Sequence, residues 1–371
     1  MKTIRLGILT IVLLFSSLKM CGASFRWDVA GTAGTRYDDN ITFVKKNRIS
    51  DVVTQLSLGA GFKQESKTYA VNFQGALTEN IFAQHSSHSN FDQNISLDGR
   101  KDVTEYDHLS ARETFAHSEE PYTLQDAFGR TTGRYGTYRN RLDLQYAHDI
   151  TKQWSAKLKY LQSNDIFSRS DLNDSVQYIP GIETFYALDS MTQVMAGYDY
   201  AHSFFDAGTD AGDHTLSAGL RRYLTNKWYV DFKSGVDFIN AFNGRDFTKP
   251  RFDVGLTHEP DENTAFNLKY VKQYSIGPFT QDVFNNWRWV LSAFKQITAR
   301  WKGNLSGFYG KGKYIFSDIS DQLGGVNLNV QYALSERMSV SSSYRYERNN
   351  SNVGSREYSR NMILLGFTFA F

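Results

Sequence analysis

The sequence predicts an all-β protein, a single transmembrane up-and-down antiparallel β-barrel of about 18 strands, with 16 as the alternative count. Three observations carry this. Apolar and polar residues alternate with period two from Phe25 onward, in segments of roughly ten residues, the length a tilted strand needs to cross a bilayer. The connections alternate between tight and long. The chain closes on an unbroken alternating series, Asn361, Ile363, Leu365, Phe367, Phe369 and Phe371.

Taken in order, the first element is a secretory signal. Lys2 and Arg5 precede an apolar run from Ile8 to Phe15 that is too short to span a membrane, and Cys21-Gly22-Ala23 places cleavage after Ala23. Residues 1–23 are then the signal peptide and 24–371 the barrel. The alternative, a lipoprotein anchored at Cys21, fits less well because Lys19 and Met20 precede the cysteine. Cys21 is the only cysteine, which excludes disulfides, thiol chemistry and Cys-based zinc sites from the mature chain. Removing Lys2, Arg5 and Lys19 from the 41 basic residues leaves 38 against 39 acidic ones, a balance that points to no nucleic-acid partner.

After residue 23 no apolar stretch is long enough for a membrane helix, and mean hydropathy is negative. The 15% aromatic content, with 27 Phe and 22 Tyr, is what two interfacial girdles around many strands require. Strands are expected to start near residues 25, 52, 68, 92, 107, 137, 153, 180, 192, 212, 227, 251, 264, 285, 299, 324, 337 and 358, those between about 80 and 136 being the least sharply marked. An even count puts both termini in the periplasm. Residues just after the tight turns, Met191, Trp228, Ala265, Trp301 and Met338, recur every 36 or 37 positions, one hairpin plus one long loop. The five prolines, Pro121, Pro180, Pro250, Pro260 and Pro278, are expected in or beside connections.

Near the mature start the chain reads Arg36-Tyr37-Asp38-Asp39-Asn40-Ile41-Thr42-Phe43. With a strand before it and hairpins to the end, this stretch resembles the β-barrel porin type 2 family, outer-membrane β-barrel proteins associated with exopolysaccharide export. The resemblance implies an outer-membrane location and polysaccharide-export components as partners. It brings no catalytic residues, and Arg36, Tyr37, Asp38, Asp39, Asn40 and Ile41 are its motif. The closing Phe367, Phe369 and Phe371 resemble the terminal strand that barrel-assembly machinery recognises.

The alternation assigns Arg139, Arg141, Lys157, Lys159, Arg221, Lys233, Arg251, Lys269, Arg288, Lys302, Arg345 and Arg360 to the lumen, against Asp143, Asp199, Asp231, Asp237, Asp253 and Glu347. Such a two-to-one surplus would favour passage of anions, and it resembles exporters of the anionic polysaccharide alginate. The competing reading is that the charges pair across strands and fill a narrow interior. Tyr229 and Phe308 are large groups expected to point inward, and the long stretch from His117 to Tyr135 is the expected gate. The six tryptophans, Trp27, Trp154, Trp228, Trp287, Trp289 and Trp301, read as interfacial anchors.

Other candidate chemistry is thin. Asp38-Asp39-Asn40 offers oxygen ligands for calcium but no spaced loop, so a strand end is the plainer reading. His85 and His88 could grip a metal, but no carboxylate or thiol lies near them in sequence. The adjacent pairs Asp107-His108 and Asp213-His214 point to opposite faces of a strand, and no Gly-x-Ser-x-Gly is present, so no enzyme activity is expected. The expectation is a porin-like channel for anionic solutes or an exopolysaccharide, with no cofactor and no metal, in contact with outer-membrane lipid. A non-conducting anchor barrel of an envelope or secretion complex is the alternative.

Overall fold

A computed structural model describes residues 24–121, 123–130, 132–241, 244–277 and 282–371, so the expected signal peptide lies outside the described residues. Eighteen strands follow in order: β1 (Ser24–Asp38), β2 (Asp51–Glu65), β3 (Tyr69–Phe82), β4 (Asn90–Asp102), β5 (Asp107–Ser118), β6 (Thr137–Asp149), β7 (Trp154–Phe167), β8 (Ser175–Asp189), β9 (Thr192–Phe205), β10 (Asp210–Thr225), β11 (Trp228–Ala241), β12 (Arg245–Asp261), β13 (Thr264–Gly277), β14 (Asp282–Gln296), β15 (Trp301–Tyr314), β16 (Ser320–Ala333), β17 (Met338–Ser351) and β18 (Tyr358–Ala370). Each pairs antiparallel with its chain neighbours, and β1 pairs with β18 from Ala30 opposite Ala370 to Asp38 opposite Met362. The sheet is closed, so its backbone groups find partners without water.

The tight turns share one local device. Ser66, Thr104, Thr151, Asp189, Thr225, Asp261, Thr298 and Ser335 each accept a hydrogen bond on the side-chain oxygen from a backbone N–H two residues on, and several also from the third. A short polar side chain that mimics the backbone in this way starts a turn. Its repetition at one rim underlies the 36- or 37-residue period.

Strands run from 12 residues in β5 to 17 in β12, longer than the expected segments, and the excess lies mainly at the long-loop end. The proline expectation therefore needs correction. Pro180 lies inside β8, and Pro250 and Pro260 inside β12. Each sits where one ladder is broken. The β8–β9 register jumps from Tyr178 to Gly181, and β12 pairs with β13 only from Phe252, with a shift between His258 and Asp261. The missing proline N–H is thus not required by the ladder.

One face of the wall carries Leu58, Leu77, Leu158, Ile182, Leu216, Phe232, Leu305, Leu328, Ile363 and Leu365, all exposed. A continuous belt of this kind belongs in hydrocarbon rather than water. All six tryptophans share the outer parity, as do Phe367, Phe369 and Phe371. The register makes a test. Leu328 is 44% exposed on the belt, while its neighbour Asn329 faces inward opposite Ser343 and Asn304. Leu328→Arg should cost about 2–4 kcal/mol and Asn329→Arg under about 1 kcal/mol, read from urea unfolding in lipid vesicles.

Candidate functional site

The inner face is where function must be sought, because the outer one meets lipid. Strand register places the twelve cations Arg139, Arg141, Lys157, Lys159, Arg221, Lys233, Arg251, Lys269, Arg288, Lys302, Arg345 and Arg360 on it. The expected two-to-one surplus counted only part of this face. Asp38, Asp98, Asp165, Glu183, Asp213 and Asp321 share this face, four of them near the long-loop ends where strands outrun the expected segments.

Most of the cations are paired. Lys159 lies 2.9 Å from Glu183 and 2.8 Å from Asp199, and Lys233 lies 3.1 Å from Glu183. Arg139 meets Asp165 at 2.6 Å, Arg221 meets Asp231 at 2.6 Å, Arg251 meets Asp237 at 3.1 Å, Lys269 meets Asp253 at 2.7 Å and Arg345 meets Glu347 at 2.8 Å. Arg288 donates to Asn286 at 2.9 Å, and Lys157 lies 5.2 Å from the centre of the Phe185 ring. Arg141 and Lys302 have no ion pair among the described residues. The interior is therefore closely balanced in charge, with anions of the wall already neutralising most of its cations.

The stretch after β5 turns into the barrel. It carries a single helical turn, α1 (Leu124–Ala127), capped reciprocally by Thr123 and Asp126. Leu124, Ala127 and Phe128 pack against Phe308, Leu323 and Val290 of the wall and against Phe43 and Tyr358 at the long-loop end. Glycines make the room. A Cβ at Gly325 would meet the Leu124 side chain at 2.9 Å, and one at Gly310 the Phe128 ring at 3.0 Å. Beyond the helix the Tyr314 hydroxyl donates to the Gly129 carbonyl, Arg356 Nη2 donates to the Arg130 carbonyl at 3.1 Å, and Arg345 Nη1 donates to that of Pro121 at 3.4 Å.

Glu120 ties this segment to the seam of the barrel. It receives Arg36 at 3.2 Å and Arg360 at 2.6 Å, and it also pairs with Arg134. Burial alone would raise the Glu120 carboxyl, but Arg36, Arg360 and Arg134 hold it well below the usual carboxylate range. Arg360, only 1% exposed, forks onto Asp38, with Nε 2.9 Å from Oδ1, and faces Glu347 at 3.6 Å. The motif octet is thus a brace. Asp38 takes Arg360, Asp39 accepts from the backbone and side chain of Asn361 at 2.7 Å, Asn40 bonds the Val44 and Ser359 carbonyls, and Ile41 packs with Val53 and Phe82. Tyr37 faces outward, and Arg36 faces the lumen.

A second closure lies at the long-loop end. Phe205 and Ala211 of one side meet Ile276 and Phe316 of the other, and Ile239, Ala241 and Val283 pack with Phe247, Tyr274, Ile315 and Phe316. Beneath the inserted segment a cavity of about 450 Å³ remains, walled by β16 to β18 and β1 to β4.

Other expected features have ordinary partners. His85 does have a carboxylate beside it, from β2: Asp51 lies 2.9 Å from Nδ1 and also accepts from the backbone of Gln84 and His85. Sequence distance hid this, since 34 residues separate the two. Asp107 bonds His148 and Tyr146 while His108 bonds Asp102, and His214 bonds the Tyr198 hydroxyl, so the two adjacent pairs do not work as pairs.

Part of the chain matches a known family. Residues 291–371 match the family described as "Putative beta-barrel porin 2", and the octet lies outside that stretch. No curated protein matches the chain. Among solved structures the chain is similar to the FrpB iron transporter of Neisseria meningitidis (F3-3 variant), at 9% identity and TM-score 0.45 over 92% of this chain and 63% of that one. It therefore spans less than two thirds of FrpB. It is similar to OccAB3 of Acinetobacter baumannii at 10% identity and TM-score 0.46, over 93% of this chain and 99% of that one. It is also similar to the siderophore receptor PirA of Pseudomonas aeruginosa at 9% identity and TM-score 0.47, over 93% and 80%. The chain is a porin-like outer-membrane β-barrel.

Arg360 makes the brace testable. Arg360→Met leaves Asp38, Glu120 and Glu347 without their shared cation, a change worth about 3–5 kcal/mol. Unfolding should move by that amount, and limited proteolysis of the folded barrel should begin to cut within 119–136.

Proposed function

We propose that this barrel is a gated outer-membrane channel whose path for hydrophilic solutes is closed by the segment 119–136. The observation that carries the reading is the way the segment is held. Ion pairs at Glu120 and a small apolar cluster around Leu124 and Phe128 fix it against the wall. Such contacts can be exchanged for water or solute, and a cavity lined by several hydroxyl and amide side chains lies beneath. In this reading the long loops face outside, both termini are periplasmic, and assembly machinery reads Phe367, Phe369 and Phe371.

The solute is hydroxyl-rich. Thr32, Ser57, Thr78, Asn94, Asn327, Ser341 and Ser343 line the cavity, which suits carbohydrate better than apolar molecules. The resemblance to barrels of exopolysaccharide export makes a polysaccharide strand, delivered by export components, one solute of this class. Because the inner cations are paired, selectivity for anions is weak. The paired wall and the apolar closure at Phe205 and Phe316 favour a second reading, a non-conducting anchor.

Conductance separates the two. In planar bilayers the protein as folded should conduct little, and Leu124→Ser, which removes the apolar anchor of the segment, should raise open probability several-fold, with a reversal potential in a salt gradient close to zero. Silence in both proteins would favour the anchor.

A further inference from the structure

The cavity beneath the inserted segment holds charge in an uneven way. On the β1 side Arg36 lines it, and beyond that Arg345 of β17; both are engaged by wall or segment carboxylates, Arg36 by Glu120 and Arg345 by Glu347. Arg36 Nε nevertheless has no hydrogen-bond partner. On the β4 side stands Asp92. One of its oxygens accepts from Asn80 at 2.8 Å, the other has no hydrogen-bond partner, and no cation lies within ion-pair distance of it among the described residues. Between the two run Gln55, Ser57, Thr78 and Asn94, and on the far side of Arg36 lie Ser343 and Asn327, all uncharged.

A carboxylate in a wall of low dielectric calls for a cation; Arg36, whose charge reaches Asp92, forms no ion pair with it and is itself held by Glu120. A solute can. We propose that this cavity is a binding site for a small hydroxylated solute carrying both an ammonium and a carboxylate group, the ammonium on Asp92 and the carboxylate on Arg36. An amino acid or an amino-sugar acid has that chemistry. Its carboxylate competes with Glu120 for Arg36, so occupancy loosens the segment above. The site rests on reading the lumen as a solute path, but binding can be read without conduction.

The test uses four probes of similar size on the refolded barrel in nanodiscs, by titration calorimetry: serine, its methyl ester, N-acetylserine and glucose. The methyl ester keeps the ammonium alone, N-acetylserine the carboxylate alone, and glucose neither. Serine should bind at least tenfold more tightly than the other three. Asp92→Asn, which keeps the size and shape of the side chain beside Ser118, should reduce serine to the level of N-acetylserine, and Arg36→Gln to that of the methyl ester. Equal binding of serine and N-acetylserine, or an affinity for serine that Asp92→Asn leaves unchanged, would overturn the proposal. Failure of the gating reading looks different: it would leave these affinities intact while a variant with 119–136 shortened still did not conduct.

Discussion

In hydrocarbon no water is available to a backbone N–H or C=O, so a chain that crosses as strands must close on itself, and here everything depends on the pairing of β1 with β18. That pair is the one neighbouring contact that no short connection enforces. It joins residues more than three hundred positions apart, and the ladder bonds that complete the cylinder cannot form until the rest of the sheet exists. The octet from Arg36 reinforces the join at its long-loop end. Asp38 and Asp39 each reach across the seam, one to Arg360 and the other to Asn361.

The same arginine links closure to gating. Arg360 is shared between a seam carboxylate, Asp38, and a carboxylate of the inserted segment, Glu120, with Glu347 of β17 facing it from the next strand. A buried charge held by several partners is strongly determined in position, because losing any partner leaves the others uncompensated. The segment therefore docks against the part of the wall that closes last. Its apolar side uses a dent in β15 and β16 where Gly310 and Gly325 replace side chains.

Much of this was legible in the sequence. Period-two alternation located the eighteen strands, and the starts of β5, β6, β9, β13 and β18 coincide with the expected positions. The turns were legible because a Ser, Thr or Asp oxygen acts over two or three residues. Strand ends were not, since beyond the hydrocarbon both faces can be polar and alternation no longer marks them; this hid Asp165, Asp213 and Asp321 and suggested a cationic surplus. Long-range pairs were equally hidden. Nothing local to His85 announces Asp51, and nothing local to Glu120 announces Arg360 or Arg36. The wall glycines were a usable signal. At Gly310, Gly312 and Gly325 inward positions of two adjacent strands lack side chains, which marks where another part of the chain must lie close.

If the described residues of 119–136 occupy the lumen of the folded barrel, chemical access to one of their side chains reports it most directly. Cys21 is the chain's only cysteine, so a refolded chain beginning at Ser24 has none, and Leu124→Cys introduces a unique thiol at a buried position of the segment. A water-soluble maleimide should label it more than tenfold more slowly than a cysteine placed at exposed Lys45 in the same lipid vesicles. Equal labelling rates would contradict the account, because they would put the segment in water and leave the lumen unobstructed by it.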